Sequence, residues 1–167
     1  MILHTDVCLC LFLAVCSFSD WKTGKIPWYL TLSGLLWAAV KAGKGMLWGV
    51  GAGAICFPLF LFRMTGAADI KMIAVMVGIL GPEKGSASVF AGLLLGAAWS
   101  LKKLLHQGIL MERLSYFSAY VRRFLITGQW EPYYVPERDG RQAAIPFACC
   151  LFLGTVICMA WKNGRVW

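Results

Sequence analysis

The sequence predicts an all-α fold: a polytopic membrane helix bundle of about six transmembrane helices plus a cytoplasmic amphipathic helix. Three observations predict it. Hydrophobic residues make up 59% of the 167 residues and charged ones 14%, with a mean hydropathy of +0.68, whereas a soluble domain carries about 25% charged residues. The apolar residues come in blocks long enough to enter or cross a bilayer. Basic residues flank those blocks, so the net charge of +8 fits orientation in a membrane better than nucleic-acid binding. The length suits one compact domain, here a membrane-embedded unit over 1–167, with the lipid bilayer as a partner and no nucleic acid.

Taken in order, the candidate spans are Ile2–Ser19, Trp28–Ala42, Met46–Phe62, Ile70–Gly81, Ser86–Leu101 and Ala143–Trp161. The first has an apolar stretch but no basic start and no clear small-residue cleavage site, so it reads as a helix and not as a secretory signal. The fourth is short for a span of ~20 residues; it extends back through Ala67 or is sheltered by its neighbours. Trp21, Trp28, Trp48, Trp99 and Trp161 fall at or near helix ends, where amphipathic rings settle at headgroup level. Gly49-x-x-x-Gly53 and Gly92-x-x-x-Gly96 permit close helix contact. All seven cysteines lie inside apolar segments without a C-x-x-C pair, so they read as packing residues.

Residues 102–142 form the one long polar connection. Within it Leu110, Leu114, Phe117, Val121 and Phe124 share one helical face, with Glu112, Arg113, Arg122 and Arg123 largely off it. Such a basic amphipathic helix lies in a membrane interface, packs onto the bundle, or extends the fifth helix. Gly128–Ala144, with Pro132, Pro136 and Gly140, reads as a loop. If the Asp20 loop is cytoplasmic, the connections on that side hold 11 basic residues and the other side 5. The positive-inside rule selects this orientation, with both termini outside and loops 20–27, 64–69 and 102–142 inside.

That orientation puts Asp20 and Asp69 on the same, cytoplasmic side. Only eight residues are acidic, and carboxylates kept where hydrocarbon meets water are costly and usually functional. Asp20 opens the string Asp20-Trp21-Lys22-Thr23-Gly24-Lys25-Ile26-Pro27; Asp69 sits in Gly66-Ala67-Ala68-Asp69-Ile70-Lys71. Peptide hydrolysis by two carboxylates needs one ionised, to take a proton from water, and one protonated, to donate to the carbonyl oxygen. Held close, they cannot both ionise cheaply and titrate as a pair. The structural alternative is that either aspartate caps a helix or pairs with Lys22, Lys25 or Lys71. There is no H-E-x-x-H motif, and His4 and His106 stand in no nucleophile motif, which disfavours serine and metal peptidases.

Asp20 through Pro27, Gly66-x-x-Asp69-x-Lys71, and Ile145-Pro146-Phe147 followed by Leu153-Gly154 occur in the order seen in type IV prepilin peptidases. The chain resembles that family of GxGD-type intramembrane aspartic peptidases, in its short form without the N-terminal methylation domain. The resemblance implies a hydrolase of the bacterial cytoplasmic membrane, with its active site facing the cytoplasm. It would remove the leader from prepilins or pseudopilins without methylating the new terminus. The catalytic pair would be Asp20 and Asp69, with Gly24, Lys25, Pro27, Gly66, Ala68, Lys71 and Pro146 as motif support. No metal or organic cofactor is implied. The family pattern has glycine where this chain has Ala68, and asparagine where it has Trp28. Two alternatives stay open: a transport or channel-like protein whose carboxylates bind cations or protons, and a catalytically inactive assembly subunit, toward which Ala68 is the only hint.

Overall fold

The computed structural model describes residues 2–61, 65–128 and 145–163. Among them every regular element is helical: α1 (Ile2–Thr23), α2 (Trp28–Ala42), a 3-10 turn (Gly43–Gly45), α3 (Met46–Leu61), α4 (Ala67–Gln107), α5 (Leu110–Thr127) and α6 (Phe147–Asn163). The loop expected over 128–144 lies outside the described residues after Gly128.

α4 is not straight. Gly81 has φ 83° and ψ 169°, a region open in practice only to glycine, and Pro82 follows and cannot donate a backbone hydrogen bond. The chain reverses there. A Cβ placed on Gly85 would stand 2.5 Å from Val77 Cα, although eight residues of a continuous helix span about 12 Å. α4 is therefore a tight hairpin of two antiparallel limbs, 67–81 and 82–107. These correspond to the fourth and fifth candidate spans, and the shorter limb does extend back to Ala67.

The hairpin organises the bundle. Its first limb is buried continuously from Met72 to Gly78, on every face, as only a central helix can be. α3 runs antiparallel to it. A Cβ on Gly45 would meet Gly78 O, one on Gly49 would run into Ala74 O, and Gly53 faces Ile70 and Ala74. The second limb packs the same way against α6. A Cβ on Gly92 would stand 2.9 Å from Leu151 Cα, and Gly96 faces Phe147. Of the glycine pairs noted in the sequence, Gly49 and Gly92 thus lie at backbone-to-backbone contacts, while Gly53 and Gly96 face side chains at ordinary packing distance. α1 is antiparallel to α6, with Cys10 Sγ 3.4 Å from Met159 Sδ near one end and Ser17 Oγ donating to Ala148 O at 2.9 Å near the other. Leu9, Leu13, Cys16, Ala38, Met72, Met76 and Leu151 form the buried core.

The outside of the bundle is apolar too. Val7, Leu11, Val15 and Phe18 line the exposed face of α1, Leu32, Leu36 and Val40 that of α2, and Phe90 and Leu94 that of α4. Surfaces of this extent do not suit water. By length and composition the stretch Ala67–Gln107, counted end to end, is the one among the described helices long and apolar enough to cross a membrane, yet it folds back at Gly81, and Phe147–Trp161 is apolar but shorter. Helix length alone therefore does not establish the six expected spans. All seven cysteines are free.

Several boundaries move. α1 continues to Thr23, so Asp20 sits in its last turn and not in a loop: Gly24 N donates to Asp20 O at 2.8 Å, with Gly24 in the left-handed region at φ 62°. α6 starts at Phe147, because Pro146 sets its entry. The fifth candidate span runs on to Gln107 before Gly108, at φ 68°, ends it.

The helix contacts make one stability prediction. A Cβ on Gly154 would collide with the Gly92 backbone and come within 2.8 Å of Ser88 O, whereas Gly51 has nothing within 4 Å. Gly154→Val should destabilise the protein by about 1–3 kcal/mol through overpacking and lower its thermal midpoint in detergent. Gly51→Val should leave the midpoint close to wild type. Equal shifts for both would contradict the close α4–α6 contact.

Candidate active site

Asp20 is anchored by an element far away in sequence. Its Oδ2 accepts a hydrogen bond from Ala148 N–H at 3.0 Å. Ala148 is the second residue of α6, and the first amide groups of a helix have no partner inside it. Pro146 makes this possible. It starts α6, and its carbonyl accepts Cys149 N–H at 3.1 Å, which leaves the Ala148 amide directed at the carboxylate. Around this bond Ser17 Oγ donates to Ala148 O at 2.9 Å and Cys149 Sγ donates to Ser17 O at 3.4 Å. The end of α1 and the start of α6 are thus stitched together at Asp20.

The rest of the first string forms a compact turn. Thr23 Oγ1 lies 2.8 Å from both Ser19 O and Lys25 O, and Ser19 Oγ lies 3.2 Å from Lys25 O. Pro27 O then accepts Leu30 N–H at 3.1 Å and opens α2. Gly24, Lys25 and Pro27 therefore shape the turn behind Asp20 through their backbones.

Asp69 lies in the first turn of α4. Its Oδ2 accepts Gly66 N–H at 3.1 Å while its own N–H donates to Gly66 O at 3.1 Å. The capping role foreseen as a structural alternative is real for this residue. Gly66 is tight for a different reason: a Cβ there would stand 3.2 Å from Asp69 Oδ2. Ala68 is the second helical residue of α4, so its position asks for no glycine backbone. Lys22, Lys25 and Lys71 are exposed, and among the described residues none forms an ion pair with either aspartate.

The two carboxylates come from opposite ends of different helices and, by the antiparallel packing of α1 on α6 and of α6 on the α4 hairpin, fall at one end of the bundle. Each is half-buried and holds a backbone amide at a helix N-terminus. Beside Asp20 opens a cavity of about 330 Å³ lined by Trp21, Gly24, Trp99, Lys103, Ile145 and Pro146 as well as Asp20. Trp21 and Trp99 meet edge to face with ring centroids 6.1 Å apart. Such an arrangement can hold water and an extended peptide against a carboxylate, between an apolar wall and a cationic rim.

Sequence reasoning brought Asp20, Asp69, Gly24, Lys25, Pro27, Gly66, Ala68 and Pro146 to this end of the bundle, and Lys71 to the same first turns of α4. It missed Ser17, Trp99 and Lys103. For Ser17 a signal existed, a hydroxyl one turn before the aspartate on an otherwise apolar helix. Trp99 and Lys103 read only as interface residues.

A family model described as the type IV leader peptidase family matches residues 7–101. The match covers both aspartates and more than half of the chain, and leaves α5 and α6 outside. No curated protein and no solved structure matches the chain.

The stitching predicts a measurable contrast. Ser17→Ala removes a buried cross-helix hydrogen bond to Ala148 O, at a cost of about 0.5–1.5 kcal/mol. Ser33, whose hydroxyl makes a similar bond to Leu30 O at an exposed position, should tolerate alanine with almost no change. Thermal midpoints of the two variants in the same detergent check this; an equally small effect at Ser17 would show that the α1–α6 junction carries little of the stability.

Proposed function

Since this chain belongs to the type IV leader peptidase family, we propose that it is a membrane aspartic endopeptidase that removes the leader peptide of prepilins or pseudopilins, with Asp20 and Asp69 as its catalytic pair. The observation that carries the proposal is that the packing of α1, α6 and the α4 hairpin brings both carboxylates to one end of the bundle, each held by a backbone amide. Two carboxyl groups so placed in an apolar bundle share one proton. The ionised member takes a proton from the attacking water. The protonated member donates to the carbonyl oxygen as the tetrahedral intermediate forms. On collapse the C–N bond breaks, the carboxyl that took the water proton gives it to the leaving amine, and the other carboxylate takes a proton back from a hydroxyl of the intermediate, which restores the pair.

The amide bonds from Ala148 and Gly66 fix one oxygen of each carboxylate. Fixed carboxylates keep the reacting geometry without reorganising during the step. The cavity beside Asp20 would receive the substrate backbone, with Trp21 and Trp99 excluding bulk water. The protein would act as a multi-pass membrane enzyme with its catalytic end at the cytoplasmic face, as the 11-to-5 division of basic residues favours. The exposed apolar flanks of α1, α2 and α4 suit lipid as their solvent.

Asp20→Asn and Asp69→Asn should each lower leader removal by about 10²–10⁴-fold or more while the protein still inserts, because neither proton role can be covered by the other group. A gel shift of a co-expressed candidate pilin reads this out. Near-normal processing by either variant would remove that aspartate from the pair. If a confirmed leader substrate is left uncut by the wild type, the inactive-subunit or transport reading takes over.

Orientation is tested separately. In a cysteine-free background, an impermeant maleimide applied to intact cells should label Lys44→Cys, at the far end of the bundle, and spare Thr23→Cys, beside Asp20. The opposite pattern would put the catalytic end outside.

A further inference from the structure

The helix α5 lies outside the family match and takes no part in the site. Its sequence left three placements open, and the structure removes two of them. α5 does not extend α4: Gly108 takes φ 68°, its N–H and that of Ile109 cap α4 on Leu105 O and Leu104 O, and a new helix begins at Leu110. Nor does α5 pack onto the bundle. It is in appreciable contact only with α4 among the described elements. Of its stripe, Leu114 is 59%, Phe117 41% and Val121 37% exposed, and Leu125, which adjoins it on the helical wheel, is 76% exposed.

We propose that α5 is a membrane-surface helix whose Leu114–Val121–Leu125 stripe inserts into the interface of an anionic bilayer on the catalytic side. Three observations commit it to lipid. First, the second limb of α4 has 26 residues and is therefore about 39 Å long, close to the ~40–45 Å of a bilayer with its headgroups, so α5 begins at headgroup level. Second, large apolar residues are exposed on both sides of the turn, Leu101 and Leu105 of α4 and Met111 and Leu114 of α5. Third, charge is complementary: by sequence spacing Arg113 and Arg122 border the stripe on either side, Arg123 follows, and Glu112 is the only acidic residue of the helix. Basic residues at the edges of an apolar stripe bind anionic headgroups while the stripe enters the acyl boundary.

The inference stands apart from the peptidase reading, since it concerns how this end of the protein sits on lipid. The experiment uses the full chain, cysteine-free, with a fluorescent maleimide at Leu114→Cys, Leu125→Cys or Ala119→Cys, the last on the opposite face. The labelled proteins are reconstituted in vesicles of phosphatidylcholine with or without phosphatidylglycerol. Lipids brominated near the glycerol end of the acyl chain then act as quenchers. Quenching should be several-fold stronger at 114 and 125 than at 119, and stronger with phosphatidylglycerol. Arg113→Gln combined with Arg122→Gln should abolish the phosphatidylglycerol dependence. Equal quenching at all three sites, or none, would overturn the proposal. So would cross-linking of two copies through Leu125→Cys, which would make a second copy the occupant. Leader cleavage by the same vesicles is scored in parallel, so that loss of quenching with retained cleavage counts against α5 alone, and the reverse counts against the peptidase reading alone.

Discussion

A carboxylate in an apolar bundle must be given a partner, and this protein gives each of its two aspartates the amide of a helix N-terminus. For Asp20 that amide belongs to Ala148, 3.0 Å away on α6. The rest of the architecture follows from keeping this bond. α6 must begin at Asp20, which Pro146 secures, and must run antiparallel to α1, which the Ser17 and Cys149 bonds lock. It must also lie close to α4, because only α4 can bring Asp69 back to the same end. The unpaired amides of a helix start and its partial positive charge favour an anion there, so the anchoring and the chemistry draw on the same groups.

Close approach is the second requirement, and glycine meets it. In lipid, helices gain little from hydrophobic burial against one another, so small residues that let backbones touch become the main source of association. Gly45 and Gly49 do this against the first limb of α4, and Gly92 and Gly154 between the second limb and α6. The two seams flank the central limb from Met72 to Gly78, which leads directly back to Asp69. A clash at either seam would therefore be felt at the site, although no glycine of the seams touches a carboxylate.

Much of this was legible in the sequence. α2 agrees at both ends because Pro27 and Gly43 punctuate it sharply. The two aspartates stand out because charge is scarce, and the order of the candidate spans puts both on one side in either orientation. The limits of α1 were less legible. Asp20 and Thr23 look like a loop by polarity, yet hydroxyls and a capping glycine satisfy the last turn of a helix just as well. The Ala148–Asp20 bond joins residues too far apart in sequence for spacing to reveal, and the roles of Trp99 and Lys103 depend on the register of a hairpin that sequence does not set. The reversal at Gly81 was visible as a span boundary, but not the closeness of the two limbs it joins.

The departure at Ala68 illustrates how a family pattern should be weighed against local geometry. A missing glycine matters where the backbone needs a positive φ or where another atom comes too near. Neither applies at position 68, which is helical and one residue inside α4. Glycine there would cost about 0.5–1 kcal/mol of helix stability relative to alanine. The crowding lies two residues earlier, at Gly66, where a Cβ would press on the oxygen of Asp69 that receives its amide. Alanine at 68 therefore leaves the carboxylate and its anchor as they are. With that, the only sequence feature that pointed toward an inactive subunit loses its backbone basis.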